Sequence, residues 1–338
     1  MINPEADGSR RVSPKHRKAI LLTATFAVAV LVADSVTLLL HGGRAADHRS
    51  AARSFPLGAA LSPSTRTAAS SPPAATYRPA TSQRPATTHA AAHHNPLGNA
   101  ARAYLATRAG TVLAAVYDEK TGQLWTLGQG SPQNEASIVK VDILETLLAQ
   151  HRAAGTALSA RDVTLAQEMI VDSDNGAATA LWDEVGGAGG ISDYNDSVGL
   201  THTTPSGCVT CPGFPWPGWG LTTTTASDQI ALLRELVRRN GHLTHAQQAF
   251  ALGLMEGVTP SQRWGVAAGV PQQATVALKN GWLPLTRAGD DWQINSLGRI
   301  SFDGDDYLIA VLTTGNPSEQ YGIDTIDELS AIVWRYMR

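Results

Sequence analysis

This 338-residue sequence has almost no net charge. Lysine and arginine together number 26 against 29 acidic residues, so the formal net charge is −3. The arginines are scattered, and no basic stripe interleaved with aromatic residues occurs in the chain. Such a stripe is the usual electrostatic footprint of a protein that binds nucleic acid. We therefore expect no nucleic-acid partner.

Lysine is much rarer than arginine in most of the chain. After residue 40 the sequence contains 18 arginines but only three lysines, Lys120, Lys140 and Lys279. An arginine guanidinium cannot act as a base, whereas a lysine amine can lose its proton when it is buried. In a chain that prefers arginine, we expect lysine where deprotonation or a compact ammonium is needed.

Long apolar runs are absent, with one exception near the N-terminus. Residues 19–40 are apolar over a length that lets a helix cross the ~30 Å hydrocarbon core of a membrane. Five basic residues precede the run and predict that residues 1–18 are cytoplasmic. We expect a single-pass anchor with the C-terminal domain outside the cell. Because Asp34 interrupts the run, secretion after cleavage of a signal peptide is the alternative.

Residues 41–95 have too few apolar side chains to form a core. They are mostly Ala, Ser, Thr, Pro, Arg and His, and such a composition cannot offset the entropy that a chain loses on folding. We predict a disordered tether. His89, His93 and His94 lack neighbours that would orient a metal ligand, so we assign them no site. The folded domain is predicted to comprise residues 96–338.

Cysteine is nearly absent, and its two copies, Cys208 and Cys211, are close together. A zinc site would need two further ligands, and only His202 is close in sequence, so we expect no metal. Outside the membrane, a local disulfide is favoured over two free thiols. Packing of this loop onto the domain is the expected role of the neighbouring aromatic residues, Phe214, Trp216 and Trp219. Lining a cleft is their alternative role.

Strand patterns occur at both ends of the folded domain, and helical patterns lie between them. A hairpin at 111–128 is predicted from two apolar runs that flank the turn signal E-K-T-G. The predicted helices are 137–152, 160–185, 226–239 and 323–336. The later strands are 275–280, 293–301 and 307–313. Residues 186–226 are predicted to be a long loop. This order indicates an α+β fold, an antiparallel sheet with paired terminal strands packed against a helical subdomain.

Three short motifs contain most of the candidate catalytic side chains. Ser137 and Lys140 lie three positions apart at the start of a predicted helix, so the amine and the hydroxyl share one face. S-D-N follows at 173–175, and K-N-G lies on a strand at 279–281. Each motif alone also fits an ordinary helix cap or polar turn. The ordered set is more specific, because the same three motif types occur together in penicillin-recognising enzymes.

With these motifs, residues 96–338 resemble the superfamily of class A β-lactamases and penicillin-binding proteins. The segments W-G-L-T-T-T-T-A-S-D-Q at 219–229 and R-W-G-V-A-A-G-V-P at 263–271 resemble segments that frame the family's motifs. The resemblance implies a β-lactamase/transpeptidase-like fold and a serine hydrolase that forms an acyl-enzyme without a cofactor. The implied substrate is a β-lactam, a D-alanyl peptide of the peptidoglycan type, or a related amide or ester.

The resemblance also implies roles for the first two motifs. Ser137 would be the acylated nucleophile, and Lys140 would accept its proton. Ser173 would shuttle a proton, and Asn175 would donate a hydrogen bond to the substrate.

For the third motif, the resemblance implies substrate binding. Lys279 would hold a substrate carboxylate and support Ser173. Asn280 stands where the family has threonine or serine, so an amide would replace one hydroxyl contact to that carboxylate. Gly281 completes the motif. The backbone N–H groups of Ser137 and Trp282 would form the oxyanion hole.

The loop departs from the pattern of hydrolytic family members, which carry a glutamate there that activates water. Residues 197–227 contain no acidic residue. Asp193 and Asp196 lie just outside this range and His202 lies within it, but none matches the family's position. We therefore expect slow deacylation. The alternatives are a catalytically impaired penicillin- or peptidoglycan-binding or sensing module, and a surface protein that packs against wall components.

Overall fold

The computed structural model describes residues 94–338 except Gln129, 213–216 and 287–288. The predicted cytoplasmic segment, the apolar run 19–40 and the tether up to residue 93 lie outside the described residues, as do Phe214 and Trp216. All described residues belong to one compact unit, Ser82–Arg338. No helix in this part of the chain has the length and apolarity needed to cross a membrane.

A five-stranded antiparallel sheet forms the centre of the domain. The strands are β1 (Thr111–Asp118), β2 (Leu124–Leu127), β3 (Gln133–Asn134), β4 (Thr223–Thr224), β5 (Thr275–Pro284), β6 (Trp292–Phe302) and β7 (Asp305–Asn316). The large sheet has the order β2-β1-β7-β6-β5, and β3 pairs with β4 separately. Along its whole length, β1 pairs with β7 from the end of the chain. The predicted pairing of terminal strands in an antiparallel sheet is confirmed.

Helices cover both faces of this sheet. They are α1 (Asn99–Leu105), α2 (Val139–Ala154), α3 (Ala160–Val171), α4 (Asn175–Glu184), α5 (Gly187–Val198), α6 (Ala226–Val237), α7 (His245–Glu256) and α8 (Glu319–Tyr336). Alternate residues of β7 enter two cores, because successive side chains of a strand point to opposite faces. Leu308 and Leu312 pack with α2 and its neighbours, whereas Ile309 and Val311 pack with α1 and α8. The fold class is confirmed.

Two predictions about the helical part are wrong. The predicted helix 160–185 is divided into α3 and α4, and Ser173 between them has a φ of 59°, which a helix cannot contain. The predicted loop 186–226 contains α5. Glycine-rich sequence has low helix propensity, but α5 buries Ile191, Tyr194 and Asn195 on one face. Tertiary packing therefore stabilises a helix that propensity alone disfavours.

Three carboxyl side chains are buried at and beneath α2. Glu135, Asp142 and Glu145 are fully buried, and no ion pair joins them to a basic residue of the described chain. Burial raises the pKa of Asp142 to about 7. Burial also holds the pKa values of Glu135 and Glu145 well above their usual range. These groups are carboxylic acids over much of the acid range.

Amide side chains pair with two of these carboxyls. Asn195 Nδ2 donates to Asp142 Oδ2 at 2.9 Å, and Gln229 Nε2 donates to Glu135 Oε1 at 3.3 Å. The second oxygen of each carboxyl and the oxygen of each amide have no hydrogen-bond partner in the described chain. A protonated carboxyl gains an O–H donor that can satisfy such an amide oxygen. The unpaired oxygens therefore fit carboxylic acids better than carboxylates.

We expect the free energy of unfolding to contain a term that falls as the pH rises from about 4 to about 7. Asp142 keeps its proton to about pH 7 in the folded state, whereas an unfolded aspartic acid has a pKa of ~3.9. The folded state binds more protons in this window, so the free energy of unfolding declines with rising pH, by roughly 4 kcal/mol for this group at ~1.4 kcal/mol per pKa unit. The Asp142→Asn variant should lose this term. Urea unfolding across the window measures it.

The matched control is Asp183→Asn, which makes the same change at an exposed position of α4. It should leave the pH dependence of stability as in the parent protein. An Asp142→Asn protein whose stability falls with pH as steeply as the parent's would show that Asp142 does not hold the proton.

Candidate active site

Ser137 lies in a short 3₁₀ turn, Ala136–Ile138, that leads directly into α2. Ala136 has a φ of 51°, in the left-handed region that residues other than glycine rarely adopt. The Asn295 side chain on β6 holds the preceding chain by donating to the carbonyl oxygens of Asn134 and Glu135, both at 2.8 Å. This turn places Ser137 in the wall of a cavity of about 270 Å³.

Lys140 is the second residue of α2 and is fully buried. Its Nζ atom donates to the backbone oxygen of Ser173 at 2.6 Å, to Ser173 Oγ at 3.0 Å and to Asn175 Oδ1 at 2.8 Å. The Trp219 ring centroid lies 5.1 Å from the same nitrogen. Burial lowers the pKa of Lys140 to about 7, and the charge of Asp174 partly opposes this shift. A free amine is therefore accessible near neutral pH, as a general base requires.

The structure does not join this amine directly to the candidate nucleophile. Within the described residues, no hydrogen bond links Lys140 Nζ to Ser137 Oγ. The three donor positions of the protonated amine are occupied by oxygens of Ser173 and Asn175. Deprotonation leaves a lone pair free, and catalytic hydrogen bonds often tighten only when substrate binds.

Ser173 accepts hydrogen bonds from two lysines. Its Oγ atom lies 3.0 Å from Lys140 Nζ and 2.9 Å from Lys279 Nζ. Lys279, on β5, is fully buried and also donates to the Asn280 backbone oxygen at 2.8 Å. Burial, and secondly the nearby Lys140, hold the pKa of Lys279 well below its usual range. The structure thus brings together at one hydroxyl the motif residues on α2, the α3–α4 turn and β5.

The Asn280 side chain lies on the other side of β5 from this cluster. It is fully buried, and its Nδ2 atom donates to the backbone oxygens of Gln262 at 2.7 Å and Trp264 at 3.1 Å. Asn280 is not among the described residues that line the cavity. The predicted amide contact with a substrate carboxylate does not fit this placement, because adjacent residues of a strand point to opposite faces.

Gly281 allows β5 to lie directly against the nucleophile turn. A Cβ atom at this position would be 2.7 Å from Ser137 N, 2.8 Å from Glu135 O and 2.9 Å from Ile138 N. The next residue, Trp282, lines the cavity together with Ser137. Its ring packs edge-on against Trp264, with centroids 6.0 Å apart. The two residues of the predicted oxyanion hole therefore share one cavity.

Trp219 lines the cavity, which the sequence left as its alternative role. Its Nε1 atom donates to Thr179 Oγ1 at 3.2 Å, and the residue is only 2% exposed. Cys208 and Cys211 form a disulfide in this loop, and the Cys208 backbone oxygen accepts from Gly218 N at 2.7 Å. A backbone hydrogen bond thus links the disulfide-bonded Cys208 to Gly218, the residue that precedes Trp219.

The three polar residues considered as replacements for the missing glutamate lie elsewhere. Asp193 lines a different cavity, behind α2. Asp196 is exposed on α5. The His202 side chain is 67% exposed, and its ring lies 3.7 Å from the Asp228 carboxylate. None of the three lines the cavity that contains Ser137.

Sequence reasoning missed several residues that line the cavity, among them Asp172, Gln262 and Trp292. Asp172 is the only acidic residue among the described residues of the lining. It directly precedes Ser173, and this position next to the S-D-N motif was the available signal. Gln262 and Trp292 come from distant parts of the chain, and no motif marks them.

One group of side chains in the described chain could hold a metal ion. The candidate ligand atoms of His151, Asp162 and Glu184 lie within 4.8 Å of one another. The Arg161 guanidinium already lies 2.7 Å from Glu184 and 3.6 Å from Asp162, so these carboxylates have a cationic partner. We assign no metal site to this group.

Comparison with known proteins identifies one matching family and several similar proteins. Residues 147–337 match the family described as "Beta-lactamase enzyme family", which is more than half of the sequence. The matched range includes Ser173 and Lys279 and begins after Ser137 and Lys140. A protein of Mycobacterium tuberculosis named "Putative lipoprotein LppW" is 29% identical over 197 residues. That match covers 56% of this chain and 59% of the relative, so the chain spans less than two thirds of the relative's length.

Solved structures show the same fold at lower identity. The TLA-1 extended-spectrum beta-lactamase superposes with a TM-score of 0.61 at 17% identity, over 70% of this chain and 96% of that one. A structure described as PBP-A gives a TM-score of 0.57 at 18% identity, over 69% and 92% of the two chains. These similarities concern the fold.

We expect Gly281→Ala to lower the reactivity of Ser137 toward a fluorophosphonate probe by on the order of 10²-fold. The added Cβ would meet three backbone atoms at 2.9 Å or less, so β5 and the nucleophile turn must move apart. Gly253→Ala is the matched control, because a Cβ there meets no atom within 4 Å. Intact-mass kinetics measure both. Labelling of Gly281→Ala at the parent's rate would contradict the role assigned to this close approach.

Proposed function

Because this chain belongs to the beta-lactamase enzyme family, we propose that it is an extracytoplasmic serine hydrolase that forms an acyl-enzyme through Ser137. Its candidate substrates are β-lactams, D-alanyl peptides and related amides or esters. One observation carries the proposal: Lys140 is fully buried, has a pKa near 7 and lies one helical turn after the candidate nucleophile. A structural lysine on a helix surface would have neither property.

In the proposed acylation step, Ser137 Oγ attacks the carbonyl carbon of the substrate. The free amine of Lys140 accepts the hydroxyl proton, and the backbone N–H groups of Ser137 and Trp282 stabilise the oxyanion. The carbonyl carbon then expels its amine or alkoxide. Ser173 Oγ gives that leaving group a proton and regains one from Lys140, to which it is hydrogen-bonded at 3.0 Å. The product is an ester on Ser137.

Hydrolysis of that ester needs a base that activates water. The described lining offers Asp172 as its only carboxylate, and the Trp219 indole lies against Lys140. The residues that could have replaced the family's glutamate lie away from the cavity. We therefore propose that deacylation is slow.

A second candidate function is a binding or sensing module with impaired catalysis. Two observations favour it: Lys140 Nζ makes no hydrogen bond with Ser137 Oγ in the described chain, and no glutamate stands in the loop. Under this alternative, Ser137 either stays unmodified or forms an adduct that is not turned over.

The proposed location is the outer side of a cell membrane. The mycobacterial relatives are named as lipoproteins, which supports a membrane-associated, extracytoplasmic domain. The apolar run 19–40 with its basic flank supports attachment through the N-terminal segment.

The first test is covalent labelling of Ser137 by an activated, uncharged ester. Ser137→Ala should abolish labelling, and Lys140→Ala should slow it by roughly 10²–10⁴-fold, as expected for loss of a general base. The labelling rate should rise with pH through about 7, because the Lys140 ammonium loses its proton there. Intact-mass measurement at a series of pH values follows all three.

Lys120→Ala is the matched control for the lysine substitution. Lys120 has a 38% exposed side chain that pairs with Asp305 at the surface, and its loss should leave the labelling rate and the pH profile unchanged. An adduct that still forms in Ser137→Ala would show that another residue is the nucleophile.

The second test concerns the lifetime of the adduct. Without a base to activate water, deacylation should lose on the order of 10²–10⁴-fold in rate. We expect a stoichiometric burst followed by decay over minutes or longer. Stopped-flow release of the leaving group, combined with timed intact-mass spectra, separates the two phases. Sustained hydrolysis near ~10 s⁻¹, a typical enzyme rate, would contradict slow deacylation. Loss of that hydrolysis in the Asp172→Asn variant would then identify Asp172 as the base.

A further inference from the structure

The charges around the cavity differ from what a carboxylated substrate needs. No lysine, arginine or histidine is found among the described residues that line it. Its charged member is the exposed Asp172 at the rim. A substrate carboxylate that binds here would therefore approach the negative charge of Asp172. Among the described residues of the lining, no cation offsets that repulsion.

The two lysines behind the cavity are poorly placed to bind a carboxylate. Lys140 and Lys279 are both fully buried, and both already donate to Ser173 Oγ. Two ammonium groups on one hydroxyl repel each other, and each would be charged in an environment that excludes water. Burial lowers the pKa of both amines. The pair therefore favours a neutral form, which serves proton transfer better than anion binding.

The third motif adds no donor to the cavity through its second residue. The Asn280 amide bridges the backbone oxygens of Gln262 and Trp264 behind β5. A serine or threonine has one O–H donor and cannot bridge two carbonyl groups in this way, whereas an amide has two N–H donors. The side chain at this position is thus committed to holding the 262–264 segment.

That segment in turn fixes the position of Asp172. Gln262 Nε2 donates to the Asp172 backbone oxygen at 3.1 Å, and Gln262 itself lines the cavity. Asp172 directly precedes Ser173, whose left-handed backbone is held by Lys140. The backbone of Asp172 is therefore held by Gln262 and by the neighbouring Ser173, and this fixes where its carboxylate lies at the rim.

Aromatic side chains form much of the remaining wall. Trp219, Trp282 and Trp292 come from the loop, β5 and β6 and all line the cavity. Indole faces attract apolar groups and cations, and they offer no compensation for an anion.

From these features we propose that the acyl donor of this site carries no carboxylate beside its scissile bond and is instead an uncharged or cationic ester or amide. This inference rests on the proposed function and narrows its substrate class. It excludes β-lactams and D-alanyl peptides with a free carboxylate as the preferred substrates of this chain.

The test uses two matched series of acyl donors, each differing only in charge. The first comprises benzylpenicillin, its methyl ester and its dimethylaminoethyl ester. The second comprises a hippuryl thioester of thioglycolic acid, the corresponding methyl ester and the dimethylaminoethyl amide. Second-order rate constants for acylation of Ser137 are measured by intact mass and divided by the rate of alkaline hydrolysis of each compound. This division removes differences in intrinsic reactivity.

In both series we expect the uncharged member to react about 10-fold or more faster than the anionic one, and the cationic member to be the fastest, since Asp172 attracts it. Asp172→Asn should remove the advantage of the cationic member and raise the anionic rate by roughly 3–10-fold. Both changes are measured relative to the uncharged member of the same series. Asp183→Asn, which removes an exposed carboxylate outside the cavity, is the control and should change none of the ratios.

Two outcomes would overturn the inference, and they are distinguishable. If the carboxylated member is the fastest in either series, Ser137 is acylated as proposed but the substrate class is wrong. If none of the six compounds acylates Ser137, the proposed function fails, and the inference fails with it. Rates that respond to Asp172→Asn equally for all three charges would also overturn it, because they would indicate a structural role for Asp172.

Discussion

The arrangement of the candidate site depends on one shared contact, in which two buried lysines donate to the hydroxyl of Ser173. The three side chains come from α2, the α3–α4 turn and β5, so the contact connects the helical part to the sheet. An unpaired polar group in this environment would cost on the order of 1–3 kcal/mol. Each lysine is thus held by the Ser173 hydroxyl, and that hydroxyl is held by both lysines. The left-handed backbone of Ser173 follows from this constraint, because the same lysine also binds its carbonyl oxygen.

Burial of α2 explains why so many ionisable groups at the site favour their neutral forms. Ten consecutive residues from Val139 to Leu148 are buried, so Lys140 cannot reach water. Asp142 and Glu145 lie on the same helix, but residues two or five positions apart do not share a face. The lysine therefore cannot neutralise these acids. In their uncharged forms, the amine of Lys140 and the carboxylic acids of Asp142 and Glu145 can be buried at a lower cost in free energy, without an ion pair.

The same fold hosts different chemistry according to the side chains that line its sites. In this chain, Asn280 holds the segment behind β5, and a tryptophan lies beside Lys140. Under the proposed function, these contacts leave Ser137 and Lys140 available for acylation and affect the surroundings of a bound substrate. The disulfide Cys208–Cys211, next to Gly218, attaches the loop that carries this tryptophan.

The sequence by itself determined the α+β order, the pairing of the terminal strands and the three motifs, because these depend on periodicity and on residues that are close along the chain. Ser137 and Lys140 could be paired from helix geometry alone. The break of the helix 160–185 at Ser173 combines a local signal, the Asp174 cap of α4, with a tertiary contact, because Lys140 binds the Ser173 carbonyl oxygen. Only the tertiary structure decided that α5 is a helix, because burial of Ile191 and Tyr194 overrides a glycine-rich propensity. The partners of the Asn280 amide, the buried acids and the rim position of Asp172 follow from contacts between distant segments, and local patterns carry no information about such contacts.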